Sequence, residues 1–203
     1  MKEELYIQKQ VVIEQRKLFV DGQLWHKGAL NGTAFDFFND LYRLLEINYL
    51  RFFKMDMLSK TLFLASEALL KGSGLPSVGN PLVALTFFNG HSSLETDRAF
   101  QASILSSAFF PSPSLFIYTL PNIALGEVAI RNRFMGENCT FITPKFDVKL
   151  CVDYVKPLIL KNIYTCVLTG WFDFVDDKEE ADIFIVSKEK TDRIFNINNL
   201  EKK

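Results

Sequence analysis

Short apolar runs alternate with longer stretches of helical periodicity along the chain, which lays it out as strands interleaved with helices. Leu5 to Ile13 (LYIQKQVVI) is rich in β-branched and aromatic residues, which pack well on a pleated surface, and predicts a strand. Gly22 to Asn39 carries turn chemistry in GQLWHKG and NGTAF and predicts an irregular excursion. Leucines and aromatics from Asp40 to Phe53 predict a helix. In Asp56 to Lys71, Leu58, Leu62, Leu64, Ala65 and Leu69 fall near helical spacing, and KGSG supplies the stop. Pro81 to Phe88 (PLVALTFF) has the continuous apolar character of a strand buried on both faces. Thr96 to Ser107 predicts a helix, PSPS at 111–114 a rigid turn, and Asn122 to Met135 a further helix ended by Gly136. A strand follows at Cys139 to Thr143, then a helix from Val148 to Lys161 in which Pro157 removes a backbone donor. Tyr164 to Thr169 and Ile183 to Val186 predict two short strands around the acidic turn DDKEEAD. No internal repeat is visible, and the alternation argues for one α/β domain over residues 1–190 with a polar tail, expected to fray, over 191–203.

Composition narrows the function. A chain of 203 residues can bury about 70% of its unfolded surface, so a core forms without staples. Twenty-three basic and 24 acidic residues give a net charge of -1 with no basic block, so nucleic acid is not an expected partner. MKEELYIQKQ has no signal-peptide core and no stretch reaches the ~18 apolar residues of a span, so the expectation is a cytoplasmic protein without a membrane segment. Cys139, Cys151 and Cys166 are odd in number and lack metal-type spacing; with His26 and His91 the only histidines, neither a disulfide framework, a metal nor another cofactor is expected. Phenylalanine is the outlier, at 20 residues, and so much rigid apolar surface suits a protein interface as well as a core.

Five blocks, in unbroken order, carry a resemblance. FKMDMLSK opens a helix; VALTFFNGHSSLETDRAFQASI spans 83–104; SPSLFIYTLPNIALGEVAIRNRFMGENCTFIT spans 112–143, with Ser112-Pro113, Leu120-Pro121-Asn122, Gly126 and Gly136 at its key positions; VLTGWFDF and EEADIFIV follow at 167–174 and 179–186. Together they resemble the N-terminal half of a β-ketoacyl synthase, an acyltransferase that condenses acyl groups held on an acyl-carrier protein. The resemblance implies a thiolase-like half-domain with a mixed five-stranded sheet and helices on its faces. It also implies a nucleophile loop, and there the chain departs. The family's Thr-Ala-Cys becomes Thr143-Pro144-Lys145, and the serine beyond becomes Asp147. A thiolate at a helix start is favoured by the helix dipole and backbone donors; a lysine is disfavoured by the same dipole, and Pro144 removes a donor. Lys145 is then a solvent-facing lysine or, given a dry pocket and a lowered pKa, a nucleophilic amine. The family's second half supplies the two catalytic histidines, and His26 and His91 match neither.

The remaining residues have plain alternatives. Cys151 is a displaced nucleophile or a buried inert thiol. Asp147 suits a helix cap, Asn162 a left-handed helix end, Ser92-Ser93 with Asp97 a cap, and Asp173, Asp176, Glu179 and Glu180 a solvated acidic turn. By resemblance, the strand before the nucleophile joins two subunits into one sheet, so Cys139, Thr140, Phe141, Ile142 and Thr143 are the interface candidates. The functional expectation is a non-catalytic partner of a full-length ketosynthase, like the chain-length factors of dissociated polyketide systems, with aryl-polyene and flexirubin-type pathways as the nearest settings. The alternatives are a self-associating module, a dimer that holds an acyl chain or an acyl-carrier protein, and a residual acyltransferase acting through Cys151 or Lys145. On this reading Phe141→Lys lowers association more than folding, which native mass would reveal.

Overall fold

The computed structural model describes residues 4–75, 82–105 and 111–201. Pro81 at the start of one expected strand, Ser106 and Ser107 at the end of one expected helix, and the last two residues of the tail lie outside them. The chain opens with β1 (Tyr6–Glu14), β2 (Lys17–Val20) and β3 (Gln23–Lys27), followed by α1 (Ala34–Leu44), a 3-10 turn (Leu50–Lys54) and α2 (Met57–Leu70). Then come β4 (Val83–Asn89), α3 (Leu94–Leu105), α4 (Pro113–Ile117), α5 (Ile123–Asn132), β5 (Asn138–Ile142), α6 (Val148–Leu160), β6 (Cys166–Val175), β7 (Lys178–Ser187) and α7 (Ile197–Leu200). They build one mixed sheet of seven strands, in the order β3-β2-β1-β7-β6-β4-β5, with β4 parallel to both β5 and β6 and every other pair antiparallel.

The count of seven corrects the expected five, and the added strands are β2 and β3. Gln15-Arg16 and Asp21-Gly22 take positive φ at both positions, the conformation that closes two-residue hairpins with the twist of their flanking strands. The Asp-Gly pair therefore joins two strands where turn chemistry suggested a loop. Asp176-Asp177 closes the β6–β7 hairpin the same way, and those strands run ten residues each, longer than expected. The stretch from Asp40 to Phe53 splits between α1 and the 3-10 turn because Glu46, at φ 57, breaks the helix. PSPS forms the cap and first turn of α4, with Ser112 accepting from the Leu115 N–H, rather than a simple turn.

Two apolar layers flank the sheet. Phe37, Phe38, Phe52 and Phe63 from α1, the 3-10 turn and α2 cover one face together with Leu125 and Val128 of α5. On the other, Cys151, Val152, Val155 and Ile159 of α6 pack on Phe88, Val167 and Phe184. β4 is buried along its whole length, and its alternation sends Phe87 to the first layer and Phe88 to the second.

Over its described residues, 191–201, the tail lies docked against the sheet and α6. Phe195 is 1% exposed and Leu200 6%, both in the α6 layer, and the segment pairs with β1 through Ile7 N–H to Arg193 O (2.8 Å) and Phe195 N–H to Leu5 O (2.7 Å). Phe195, Ile197 and Leu200 are the apolar residues that dock it, and Ile194 bridges to Tyr6 through the backbone. Phe195→Ala should cost about 3 kcal/mol, the scale of a buried phenylalanine truncation, and speed amide exchange at Ile7. An unchanged melting midpoint would mean the docking contributes nothing.

Candidate functional site

The expected interface strand is β5, at the end of the sheet. Its register with β4 runs Leu85↔Asn138 to Asn89↔Ile142 without a shift. Leu85 N–H bonds Glu137 O at 2.8 Å, and Thr143 N–H bonds Asn89 O at 2.9 Å. Since bonding direction alternates along a strand, residues 137, 139, 141 and 143 turn their backbone groups to β4, and those of Asn138, Thr140 and Ile142 point away. Among the described residues no strand pairs with that outer side. Gly136 lets the strand in: a Cβ there would lie 2.2 Å from the Val83 carbonyl oxygen.

The side chains alternate between layers. Phe141 stacks on Phe88 at 5.0 Å and meets Tyr154 of α6 edge-on at 5.0 Å. It belongs to the α6 layer, so Phe141→Lys would damage folding as much as association, contrary to the expectation above. Cys139 lies on the same side, where burial raises its thiol pKa and a hydrogen bond with Tyr154 lowers it in part. Ile142 is the exposed apolar member, at 48%, while the Thr140 hydroxyl is buried with no partner.

Beyond β5 the chain turns into α6. Thr143 Oγ1 donates to Lys145 O at 2.9 Å, which closes the loop, and Asp147 caps the helix by accepting from Leu150 N–H at 2.9 Å. Lys145 is exposed, on the rim of a shallow cleft it shares with Phe146, Lys149 and Glu201. Cys151 lies one turn into α6, fully buried beside Thr169 Oγ1 at 3.4 Å, and burial pushes its thiol pKa up to about 12. A thiol held there is neither ionised nor reachable at neutral pH. The structure therefore keeps Lys145 and Cys151 apart, one in solvent and the other in the core.

A second polar group lies at the carboxyl ends of β4 and β6, and sequence reasoning placed its members elsewhere. Asp173 is 4% exposed and accepts from Asn89 Nδ2 (3.2 Å) and Phe174 N–H (2.9 Å), while His91 Nδ1 lies 2.6 Å from its other oxygen. Glu179 is also buried, paired with the Arg16 guanidinium and accepting from Arg16 N–H at 2.6 Å. Both residues thus leave the expected solvated turn, which is made by Asp176 and Asp177; their inward strand positions were the only available signal. Ser93 Oγ donates to Thr119 O at 2.7 Å, and its carbonyl accepts from Asp97 N–H at 2.8 Å. Asn162 ends α6 in the left-handed region, at φ 57. No helix among the described residues is long and apolar enough to cross a membrane.

No protein-family model and no curated protein matches the sequence. Solved structures match its fold. The ishigamide ketosynthase/chain length factor superposes with a TM-score of 0.67 at 16% identity, over 94% of this chain and 64% of that one. AntDE:AntF, a type II PKS acyl-carrier protein in complex with its ketosynthase bound to the hexaketide, gives 0.61 at 12% identity, over 92% of this chain and 63% of that one. The ketosynthase ApeO in complex with its chain length factor ApeC, from Xenorhabdus doucetiae, gives 0.56 at 13% identity, over 71% of this chain and 62% of that one. The chain spans a little under two thirds of the length of each. Its fold is that of the ketosynthases and chain length factors, laid out as a thiolase-like half-domain on a single open sheet.

Proposed function

We propose that the chain is a chain-length-factor-like partner of an active β-ketoacyl synthase in fatty-acid or type II polyketide assembly, one that does not itself condense acyl groups. The observation that carries this reading is the open edge of β5 beside an exposed Lys145. The two ends of the sheet differ in kind. β3 has features that discourage pairing: Lys27 at its end and a register shift against β2 between Leu18 and Phe19. β5, NCTFI, has no charge and no bulge, and offers the outward N–H and C=O groups of Thr140 and Ile142 to a partner strand. Ile130 of the neighbouring α5 and Met135 just ahead of β5 are 55% and 76% exposed, an apolar border suited to an interface. Two of the similar structures are themselves ketosynthase and chain-length-factor assemblies, which supports a ketosynthase as the partner.

Thr140→Pro tests the edge with little risk to the fold, because the N–H it removes bonds nothing among the described residues and proline is tolerated on edge strands. Co-expression with a full-length ketosynthase, read by native mass, should give a hetero-complex that Thr140→Pro and Ile142→Lys weaken at least about tenfold, a loss of about 1.4 kcal/mol. A homodimer that persists in both variants, without affinity for a synthase, would sink the partner role. Incubation with an acyl-carrier thioester should leave no stable adduct on Lys145 or Cys151. In a second labelling experiment, a thiol reagent at pH 8 should modify half-buried Cys139, reaching Cys151 and Cys166 only on unfolding. Native labelling of Cys151 as fast as Cys139 would restore it as a candidate nucleophile.

A further inference from the structure

α5 breaks the rules of helix stability at two positions, and packing among the described residues explains neither. Gly126 sits in mid-helix, where glycine costs more than any residue but proline because it has the most backbone freedom to lose. A glycine is required by a positive φ or by a close neighbour. Gly126 has no positive φ, and a Cβ built on it would meet nothing within 4 Å. Arg133, which closes the helix, has the opposite fault: it holds φ 53, the left-handed conformation that glycine or asparagine takes at helix ends with least strain. Its side chain is exposed and forms no ion pair among the described residues, whereas Arg131 is paired with Glu67 at 3.2 Å.

The two positions belong to one stripe. Gly126, Ile130 and Arg133 are spaced by four and then three residues, which puts them on one side of the helix, while Ala124, Leu125, Glu127 and Val128 are buried on the other. Ile130, between them, is 55% exposed. α5 packs over β4 and β5, so the stripe borders the open strand edge. A strand added to that edge lies about 4.8 Å beyond β5, and it carries a covering layer of its own, because a sheet stays folded by burying its faces. A helix in that layer runs beside α5 at the roughly 8–10 Å of packed helices, and a glycine at the contact allows the shorter distance.

We propose that the Gly126, Ile130 and Arg133 stripe of α5 seats a helix of the ketosynthase partner, with the two backbones closest at Gly126, Ile130 buried between them and Arg133 paired with a partner carboxylate. The inference rests on the partner role and adds to the strand edge a second contact, one read by side chains. In a chain whose local choices otherwise agree with its fold, positions that break the local rule mark a functional demand. Docking is a demand that both positions meet: the glycine clears room for a neighbouring backbone, and the arginine leaves a free charge at the end of the same stripe.

The test lies in two readouts of opposite sign. Gly126→Ala and Gly126→Gln restore helix propensity at an open position, so the free chain should melt about 1–4 °C higher, and Arg133→Gly, which relieves the left-handed residue, should melt no lower than the parent chain. Titrated with a full-length ketosynthase and read by native mass, the complex should nevertheless weaken about tenfold or more in Gly126→Gln and Arg133→Gly, and less in Gly126→Ala. A purely structural role would lower stability and affinity together. A free chain destabilised by Gly126→Ala would show the position to be enclosed within the chain, and would overturn the inference. A complex broken by Thr140→Pro but untouched by Gly126→Gln and Arg133→Gly would overturn it too, while sparing the partner role. Failure of the parent chain to bind the synthase at all would overturn both.

Discussion

The structure depends on one strand being buried from both sides. All seven residues of β4 are buried, and its alternation commits Phe87 to one apolar layer and Phe88 to the other. Phe87 meets Phe172 of β6 edge-on at 6.0 Å, and Phe88 stacks on Phe141 of β5 at 5.0 Å. Burying one such ring is worth about 1.5–3 kcal/mol, so these phenylalanines lock β4 to its neighbours. That locking fixes the register of β5, and with it which backbone groups face outward. It also delivers Asn89 and His91 to the end of β6, where Asp173 awaits them. The interface strand and the polar group are two consequences of the same central strand.

Burial also explains how so many charged groups fit an apolar fold. Glu179 is taken by the Arg16 guanidinium, and Glu127, 2% exposed, accepts from Arg51 Nη2 at 2.9 Å and Tyr118 Oη at 3.1 Å. Removing one member of such a pair leaves a buried charge uncompensated, which costs more than the pair itself contributes. These pairs tie loops to the sheet edges and to the helices, so they hold geometry more than they add stability.

What could be read from the chain alone follows from which signals are local. PLVALTFF announced a doubly buried strand, and the α2 leucines, the Asp147 cap and the Asn162 helix end were equally plain. Asp21-Gly22 was ambiguous, because the same dipeptide punctuates loops and closes hairpins; only the pairing of Val20 with Gln23 decides it. Asp173 and Glu179 looked solvated because a carboxyl group discloses its burial only through partners far away in sequence, here Asn89, His91 and Arg16. That Phe141 packs under α6 was hidden for a related reason. A strand's alternation is visible in its sequence, but which parity faces the core is set by α6, whose Tyr154 closes over it.

The account stands or falls on the outer edge of β5. Amide hydrogen exchange at Thr140 and Ile142, followed as a full-length ketosynthase is added, reads that edge directly, since both N–H groups point away from β4. The account predicts fast exchange in the free chain and strong protection of both amides in the complex, with the odd-numbered residues protected throughout. A complex that forms while Thr140 and Ile142 exchange as freely as before would contradict it.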